Sequence, residues 1–293
     1  MEKLPPAARG AQHLKADLWL LLAAFFWGLT FVSVKDAMHY SSPLLFLGIR
    51  FALAALVLLP FCARGLRHRL GPSGFRDGIL LGVFLFGGYA FQTAGLVQTT
   101  ATRSAFITGL TMILVPPLSV LLLGKKSDLM QMAGVFLAVV GLYIFIRPEA
   151  GPINRGDFLT LFCTLCFAIQ IILVQRATLR YRPLDMVMIQ LLTTVLLSFS
   201  LSPFLEKPFF HWSSPLGLDL LFTSLLATVC CLMIQFTFQR KTSPTRAAVI
   251  YATEPLFAAL FGFLFFGEYL AWPGWLGGVL ILSGMVLSEL SPR

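Results

Sequence analysis

Residues 245–267 read TRAAVIYATEPLFAALFGFLFFG and residues 102–124 read TRSAFITGLTMILVPPLSVLLLG, so two stretches 143 positions apart both begin with Thr-Arg and end with Gly. Both are mostly apolar and about 20 residues long, the length that an α-helix needs to cross the roughly 30 Å core of a bilayer. The most unusual difference is that the second copy has Glu254 and Pro255 where the first has a threonine and a methionine. The two stretches predict a transmembrane helix that occurs twice.

The whole chain has the composition of a membrane protein. Of its 293 residues, 57% are hydrophobic and 12% are charged, and the mean hydropathy of +0.83 is far above that of soluble domains. Unbroken apolar runs of helical length predict an all-α integral membrane protein with ten transmembrane helices. The predicted spans are 17–35, 43–62, 78–97, 104–123, 129–146, 157–176, 184–203, 217–238, 245–266 and 272–290.

The chain is built from two related halves. At an offset of 140, Asp17 corresponds to Asp157, and at an offset of 143, Gln92 corresponds to Gln235. Each half has five spans, an odd number, so the second half must enter the membrane from the opposite side. This predicts a 5+5 inverted-topology repeat, which is typical of secondary transporters. The predicted parts are a cytoplasmic N-terminal tail over 1–16, a first five-helix repeat over 17–146 and a second over 157–290.

Basic residues are concentrated on one side of the predicted spans. Of the 22 Lys and Arg residues, 16 fall in the terminal segments and alternate loops, five fall on the other side, and Arg50 lies within span 2. Because cytoplasmic loops carry an excess of Lys and Arg, both termini are predicted to be cytoplasmic, in a multi-pass protein of the inner (plasma) membrane. The net charge of +9 is explained by this topology, and no nucleic-acid partner is predicted.

Further segments carry a family resemblance. FFWGLTFVSVK at 25–35 and GIRFALAALVLLP at 48–60, with the two stretches quoted above, resemble the EamA branch of the drug/metabolite transporter (DMT) superfamily, from about Asp17 to Ser288. The resemblance implies a central cavity lined by spans 1 to 4 and 6 to 9, with spans 5 and 10 packed to one side. It also implies transport of amino acids, metabolites, nucleotide-sugar-like compounds or drugs.

Two formal charges lie well inside spans, Arg50 and Glu254. A charge at the centre of a bilayer costs roughly 2.5–3.5 kcal/mol on insertion scales, so neither side chain is expected to face lipid. In the functional interpretation, Arg50 binds a substrate carboxylate or phosphate, and Glu254 holds an ammonium or carries a coupling proton. In the structural interpretation, the two side chains pair with each other or with backbone freed by Pro255, or Arg50 extends outward to the interface.

Three amides within spans are further candidates. Gln92 and Gln235 are related by the repeat, and they either bind substrate or tie helices together, with the structural role favoured. Gln170 is treated as a residue of the second half alone and is predicted to face the cavity.

Three aromatic residues lie away from the membrane interfaces, Trp27, Tyr89 and Tyr251. They would stack on an aromatic or cationic ligand, or simply pack in the core. Glycines on spans 5 and 10, such as Gly134 and Gly284, predict close helix contacts, either within one protomer or in a homodimer.

The sequence therefore predicts a secondary-active transporter of small metabolites such as amino acids or related compounds. It would work by alternating access, with a site that opens in turn to the two sides of the lipid bilayer. It is predicted to be no enzyme and to use no cofactor or metal, with proton coupling through Glu254 as one source of energy. The alternatives left open are an exporter of drugs or other cationic and aromatic compounds, an intramembrane enzyme acting on lipid, and a scaffold that transports nothing.

Overall fold

Nearly all residues that the computed structural model describes are helical. Eight helices are long and apolar enough to cross a membrane, and two shorter apolar helices, Leu129–Ile144 and Trp272–Ser288, bring the described set to ten. The prediction of an all-α protein with ten membrane helices is confirmed. The first helix starts at Pro6, inside the predicted tail, whose first five residues lie outside the described part of the chain. The described residues are 6–62, 66–124, 128–146, 154–266 and 272–289.

The ten spanning units are labelled α1 to α10 in chain order, with letters for the parts of a broken helix. Their bounds are α1 Pro6–Ala37, α2 Pro43–Cys62, α3 Leu66–Leu96, α4a Ala101–Gly109, α4b Thr111–Leu123, α5 Leu129–Ile146, α6 Arg155–Ala177, α7 Pro183–Leu205, α8a Ser214–Phe222, α8b Cys231–Phe238, α9a Pro244–Tyr251, α9b Glu254–Phe266 and α10 Trp272–Glu289. A π-helical segment, Thr223–Cys230, joins α8a to α8b.

The fourth and ninth spans are broken at equivalent places in the two repeats. The spans predicted over 104–123 and 245–266 are both present as candidate membrane spans, Ala101–Leu123 and Pro244–Leu264, and the structure adds a short interruption within each. In the ninth span a physical reason is Pro255, the second residue of α9b, because proline has no N–H to donate to the carbonyl of Tyr251. The same proline is well placed at a helix start, where the first N–H groups have no partner within the helix.

Both breaks carry a threonine hydroxyl that bonds a carbonyl one turn back. The hydroxyl of Thr111 donates to the carbonyl oxygen of Thr108 at 2.6 Å, and the hydroxyl of Thr253 donates to the carbonyl oxygen of Ile250 at 2.7 Å. Backbone groups freed inside a membrane must find partners within the protein. The two breaks are thus stable polar turns at equivalent positions along two repeat-related spans.

The packing of the helices follows a pseudo-twofold relation between the halves. Helix α2 packs on its repeat mate α7, and α5 packs on its mate α10. The contact of α3 with α6 is matched by that of α8b with α1, and the contact of α1 with α9b is matched by that of α6 with α4b. Exchanging the two repeats therefore maps each contact onto another, as an inverted repeat requires.

Glycines allow α5 and α10 to approach closely. A methyl group built on Gly284 would lie 2.6 Å from the carbonyl oxygen of Gly134, and one built on Gly134 would lie 2.6 Å from that of Gly284. A methyl group on Gly141 would lie 2.7 Å from the carbonyl oxygen of Gly277. Small residues let helix backbones meet in this way inside membranes. The predicted glycine faces are thus used within the protomer.

Gly284→Ala is expected to destabilise the protein, because the new methyl group overlaps a backbone oxygen that cannot move aside. Overpacking of this kind typically costs about 1–3 kcal/mol. The melting temperature of the detergent-solubilised protein measures the effect. Gly278→Ala on the same helix is the control, since its methyl group would meet only the flexible end of Leu256 at 3.2 Å. Equal melting temperatures for the two variants would contradict the assigned contact.

Candidate functional site

A cavity lies in the middle of the bundle, where the breaks in the fourth and ninth spans meet. Its volume is about 60 Å³, enough for a few water molecules but well below the roughly 300–1,000 Å³ of a typical ligand pocket. Seven of the eight predicted site residues line it, and Arg50 does not. The lining residues are Trp27, Thr30, Phe31, Leu85, Tyr89, Gln92, Thr108, Gly109, Thr111, Phe167, Gln170, Ile171, Leu232, Gln235, Ala248, Tyr251, Ala252 and Glu254.

Six spans supply this lining: the first, third, fourth, sixth, eighth and ninth. The family resemblance implied that spans 2 and 7 would line the cavity as well, and this expectation is corrected. Helices α2 and α7 instead form a second layer. From it, Arg50 of α2 reaches the ring of Tyr89, and Gln190 of α7 accepts a hydrogen bond from Gln170.

Glu254 is the first residue of α9b and faces the cavity. An acid at this position complements the positive end of the helix dipole. Among the described residues, none donates a hydrogen bond to its carboxylate or forms an ion pair with it. Because a buried charge without a partner is unfavourable, this carboxylate is suited to meet a proton or a ligand.

Arg50 is fully buried and lies behind the cavity wall. Its Nε donates to the hydroxyl of Thr228 at 2.9 Å. Its guanidinium carbon lies 4.8 Å from the ring centroid of Tyr89 and 5.4 Å from that of Phe51. No ion pair joins Arg50 to Glu254 within the described chain, and complete burial excludes the interpretation in which Arg50 extends outward. Its contacts are those of a residue that supports the wall.

The amides form hydrogen bonds between helices at the cavity edge. Gln170 and Gln235 exchange a reciprocal pair of bonds, at 3.2 and 3.1 Å. Gln92 donates to the hydroxyl of Thr108 at 3.2 Å. These contacts agree with a structural role, yet the same side chains line the cavity and leave other lone pairs and N–H groups for a ligand.

Four aromatic rings form two edge-to-face pairs in the wall. The rings of Trp27 and Tyr251 have centroids 5.2 Å apart at 68°, and those of Tyr89 and Phe167 have centroids 5.3 Å apart at 81°. The indole N–H of Trp27 donates to the carbonyl oxygen of Ala227 in the π-helical segment at 2.8 Å. This bond fixes the ring, so its face is presented in one orientation.

The lining consists largely of repeat mates. The offset of 140 relates Trp27 to Phe167 and Thr30 to Gln170. Gln170 thus has a polar counterpart, and its assignment to the second half alone is corrected. The offset of 143 relates other lining residues in the same way. These pairs are Tyr89 with Leu232, Gln92 with Gln235, Thr108 with Tyr251, and Thr111 with Glu254.

Two repeat-related ion pairs lie on opposite sides of the cavity. On the terminal face, where α1 begins and α10 ends, Nη2 of Arg246 lies 2.7 Å from Oδ2 of Asp17. On the distal face, Nη2 of Arg103 lies 2.7 Å from Oδ2 of Asp157. None of the four side chains is more than 14% exposed. Each pair joins a residue of the first repeat to one of the second.

The distal pair borders an open vestibule of about 670 Å³, to whose lining Arg103 contributes. Arg103 lines this vestibule together with Lys35, Asp36 and His39. Asp157 is held from behind by a capping box with Asn154 at the start of α6, and it also accepts a hydrogen bond from the hydroxyl of Thr99 at 2.9 Å. Asp157 is therefore held by several contacts besides the ion pair with Arg103.

Known proteins resemble this chain over nearly its whole length. The EamA-like transporter family matches residues 14–147 and again residues 154–290. An uncharacterized transporter of Archaeoglobus fulgidus is 36% identical over 283 residues, covering 97% of this chain and 88% of that protein. A probable amino-acid metabolite efflux pump of Salmonella typhimurium is 26% identical over 289 residues, covering 93% and 94%.

A solved crystal structure has the same fold, with a TM-score of 0.77 at 16% identity, and the match covers 95% of this chain and 98% of the other. Both halves match the family, and the relative from Archaeoglobus fulgidus spans almost the full chain. The protein is therefore a multi-pass membrane transporter that belongs to the EamA-like transporter family of the DMT superfamily.

Proposed function

We propose that this protein is a secondary-active transporter of small polar or amphipathic metabolites, amino acids or related compounds, and that it works by alternating access. The observation that carries the proposal is a cavity built from repeat mates, with one repeat-related ion pair on each side of it. An inverted repeat lets the two halves exchange conformations, so that a site at their interface opens to one side and then to the other.

The two ion pairs have the properties of gates. Arg246–Asp17 joins α9a to α1 on the terminal face, and Arg103–Asp157 joins α4a to α6 on the distal face. Both pairs are formed in this structure, and the cavity between them is small. Opening a path to one face requires the pair on that face to separate while the other stays closed.

Substrate class and orientation are part of the same proposal. The name of the Salmonella typhimurium relative refers to amino-acid metabolites, and this supports small polar compounds as the substrates proposed for this protein. The excess of Lys and Arg on the terminal side supports a cytoplasmic terminal face. Glu254 is the carboxylate that we assign to a coupling proton or to the substrate, because it faces the cavity without a described partner.

Counterflow in liposomes tests this function. Purified protein is reconstituted in vesicles loaded with a mixed metabolite pool, and the uptake of trace labelled amino acids, nucleosides and amines is followed. We expect exchange of at least one class, saturable and absent from protein-free vesicles. Uptake no greater than in protein-free vesicles for every compound would contradict the transporter mechanism proposed here and favour a scaffold.

A further inference from the structure

We infer that the cavity selects organic cations, compounds in which an ammonium group is attached to a small apolar or aromatic body, with Glu254 as the counter-ion. The inference rests on the proposed function, because it assigns a substrate class to the same cavity. It goes beyond that function in ranking the ligands of this class by charge: amines are preferred to zwitterionic amino acids, and anions are the least preferred.

The charge of the cavity lining favours a cationic ligand. Among the described residues that line the cavity, Glu254 is the only one with a formal charge, and no Lys or Arg is in the lining. Arg50 lies behind Tyr89, where it is bonded to Thr228. Arg50 does not line the cavity, so a substrate carboxylate could reach it only if the wall moved. The cavity therefore presents one acid and no accessible base.

The aromatic residues of the cavity wall also favour a cationic ligand. Trp27 and Tyr251 contact each other edge to face, and Tyr251 lies one helical turn before Glu254, on the other side of the break. An ammonium beside the carboxylate is thus in the same cavity as these aromatic rings, whose faces attract cations. The two interactions reinforce each other in a buried cavity.

The position of Arg50 sets where the cation binds. Its guanidinium lies 4.8 Å from the ring of Tyr89, so the Tyr89 side of the cavity is unfavourable for a second positive charge. The ammonium belongs beside Glu254, with Trp27 and Tyr251 in the same cavity lining. The apolar body then lies toward Phe167 and Leu232, and the amides of Gln92 and Gln235 remain for neutral polar groups.

A matched ligand series tests the inference in the full-length protein in detergent. Phenethylamine, phenylalanine and 3-phenylpropionate carry the same aromatic body with an ammonium alone, with both charges, or with a carboxylate alone. Isothermal titration measures their binding directly. We expect phenethylamine to bind at least about tenfold more tightly than phenylalanine, and 3-phenylpropionate to bind most weakly, because a ligand carboxylate would be buried near Glu254 without a positive partner.

Variants assign the preference to named residues. Glu254→Gln is expected to remove the advantage of phenethylamine over phenylalanine, and Tyr251→Leu to weaken amine binding more than Tyr251→Phe does. Asp219→Asn, which removes a carboxylate outside the cavity, is expected to leave the order of the three ligands unchanged. Tighter binding of phenylalanine than of phenethylamine would overturn the inference and assign a carboxylate-binding role to Arg50.

Transport distinguishes failure of this inference from failure of the proposed function. Counterflow of amino acids without counterflow or binding of phenethylamine would overturn the cation preference and leave the transporter intact. Binding of phenethylamine without counterflow of any compound would support the cation site and contradict transport. Unchanged amine binding by Glu254→Gln would also overturn the inference, because it would show that the carboxylate of Glu254 does not bind the amine.

Discussion

Glu254→Gln is expected to lower the initial rate of counterflow by about ten- to a hundredfold while the protein stays folded. The amide has the size of the carboxylate but lacks its charge, and a lost charge-assisted contact costs about 1.5–3 kcal/mol. No described residue donates a hydrogen bond to the carboxylate, so no described group loses a hydrogen-bond partner when the carboxylate is replaced. Counterflow in liposomes measures the rate, and the melting temperature in detergent is the control for folding. A rate within about twofold of the parent would contradict the role given to Glu254.

The pseudo-twofold relation offers a stricter version of the same experiment. Thr111 is the repeat mate of Glu254, and both side chains line the cavity. The double variant Glu254→Thr with Thr111→Glu therefore moves the acid to the equivalent side of the same cavity, again at the start of a half-helix. We expect it to recover part of the transport that Glu254→Thr loses. No recovery would show that transport needs the acid on the α9b side, next to Trp27 and Tyr251.

Much of the cavity lining could be predicted from sequence because charged and amide side chains are unfavourable inside spans unless they face other helices or a cavity. Applying the repeat offsets to the predicted residues would have found more of the lining. Trp27 leads to Phe167, Glu254 leads to Thr111, and the same step finds the remaining mates. Symmetry was used to recognise the fold, but it also determines which positions meet at the interface of the halves.

Arg50 shows where sequence reasoning ends. Its place inside span 2 followed from the apolar run around it, but the direction of its side chain did not, because a mostly apolar helix has no pattern of neighbours that fixes the inward face. The structure directs it to Thr228 and to the ring of Tyr89. Thr228 lies in a π-helical segment, and a change of helix type inside an apolar run leaves no clear mark in the sequence.

The break in α4 was missed for a related reason. Pro255 marks the break in the ninth span, whereas the fourth span has no proline at the equivalent position 112. There the turn at Leu110 depends on a threonine hydroxyl and on packing against the other break, where a methyl group built on Gly109 would lie 3.5 Å from Pro255. The junction in the ninth span, which contains Pro255, thus packs against and stabilises the junction in the fourth span, which has no proline at the equivalent position.

The second large effect is expected from the two ion pairs, when each is broken in turn. Asp17→Asn removes the charge that holds Arg246 on the terminal face, and Asp157→Asn does the same for Arg103 on the distal face. Leaving one partner of a buried pair without the other is strongly unfavourable, about 3–5 kcal/mol in typical cases. If the pairs are gates, Asp17→Asn shifts the population toward a conformation open at the terminal face, and Asp157→Asn shifts it the other way.

Hydrogen–deuterium exchange of the purified protein in nanodiscs measures both faces at once. For Asp17→Asn we expect about tenfold faster exchange around Asp17 in α1 and where α9a begins, and slower exchange where α4a and α6 begin. Asp157→Asn is expected to give the reverse pattern. Arg76→Gln is the control, because its ion pair with Asp77 is largely exposed and exposed pairs contribute at most about 1 kcal/mol.

The exchange rate at the face that was not mutated distinguishes a gate from a purely structural contact, here called a clasp. A clasp that only holds two helices together would let its own face exchange faster and leave the other face as it was. A gate in an inverted repeat cannot do this, because opening one face closes the other, and protection must rise at the distant ion pair. Faster exchange on the mutated face alone, in both variants, would therefore reduce Asp17–Arg246 and Asp157–Arg103 to structural contacts and remove the main support for alternating access.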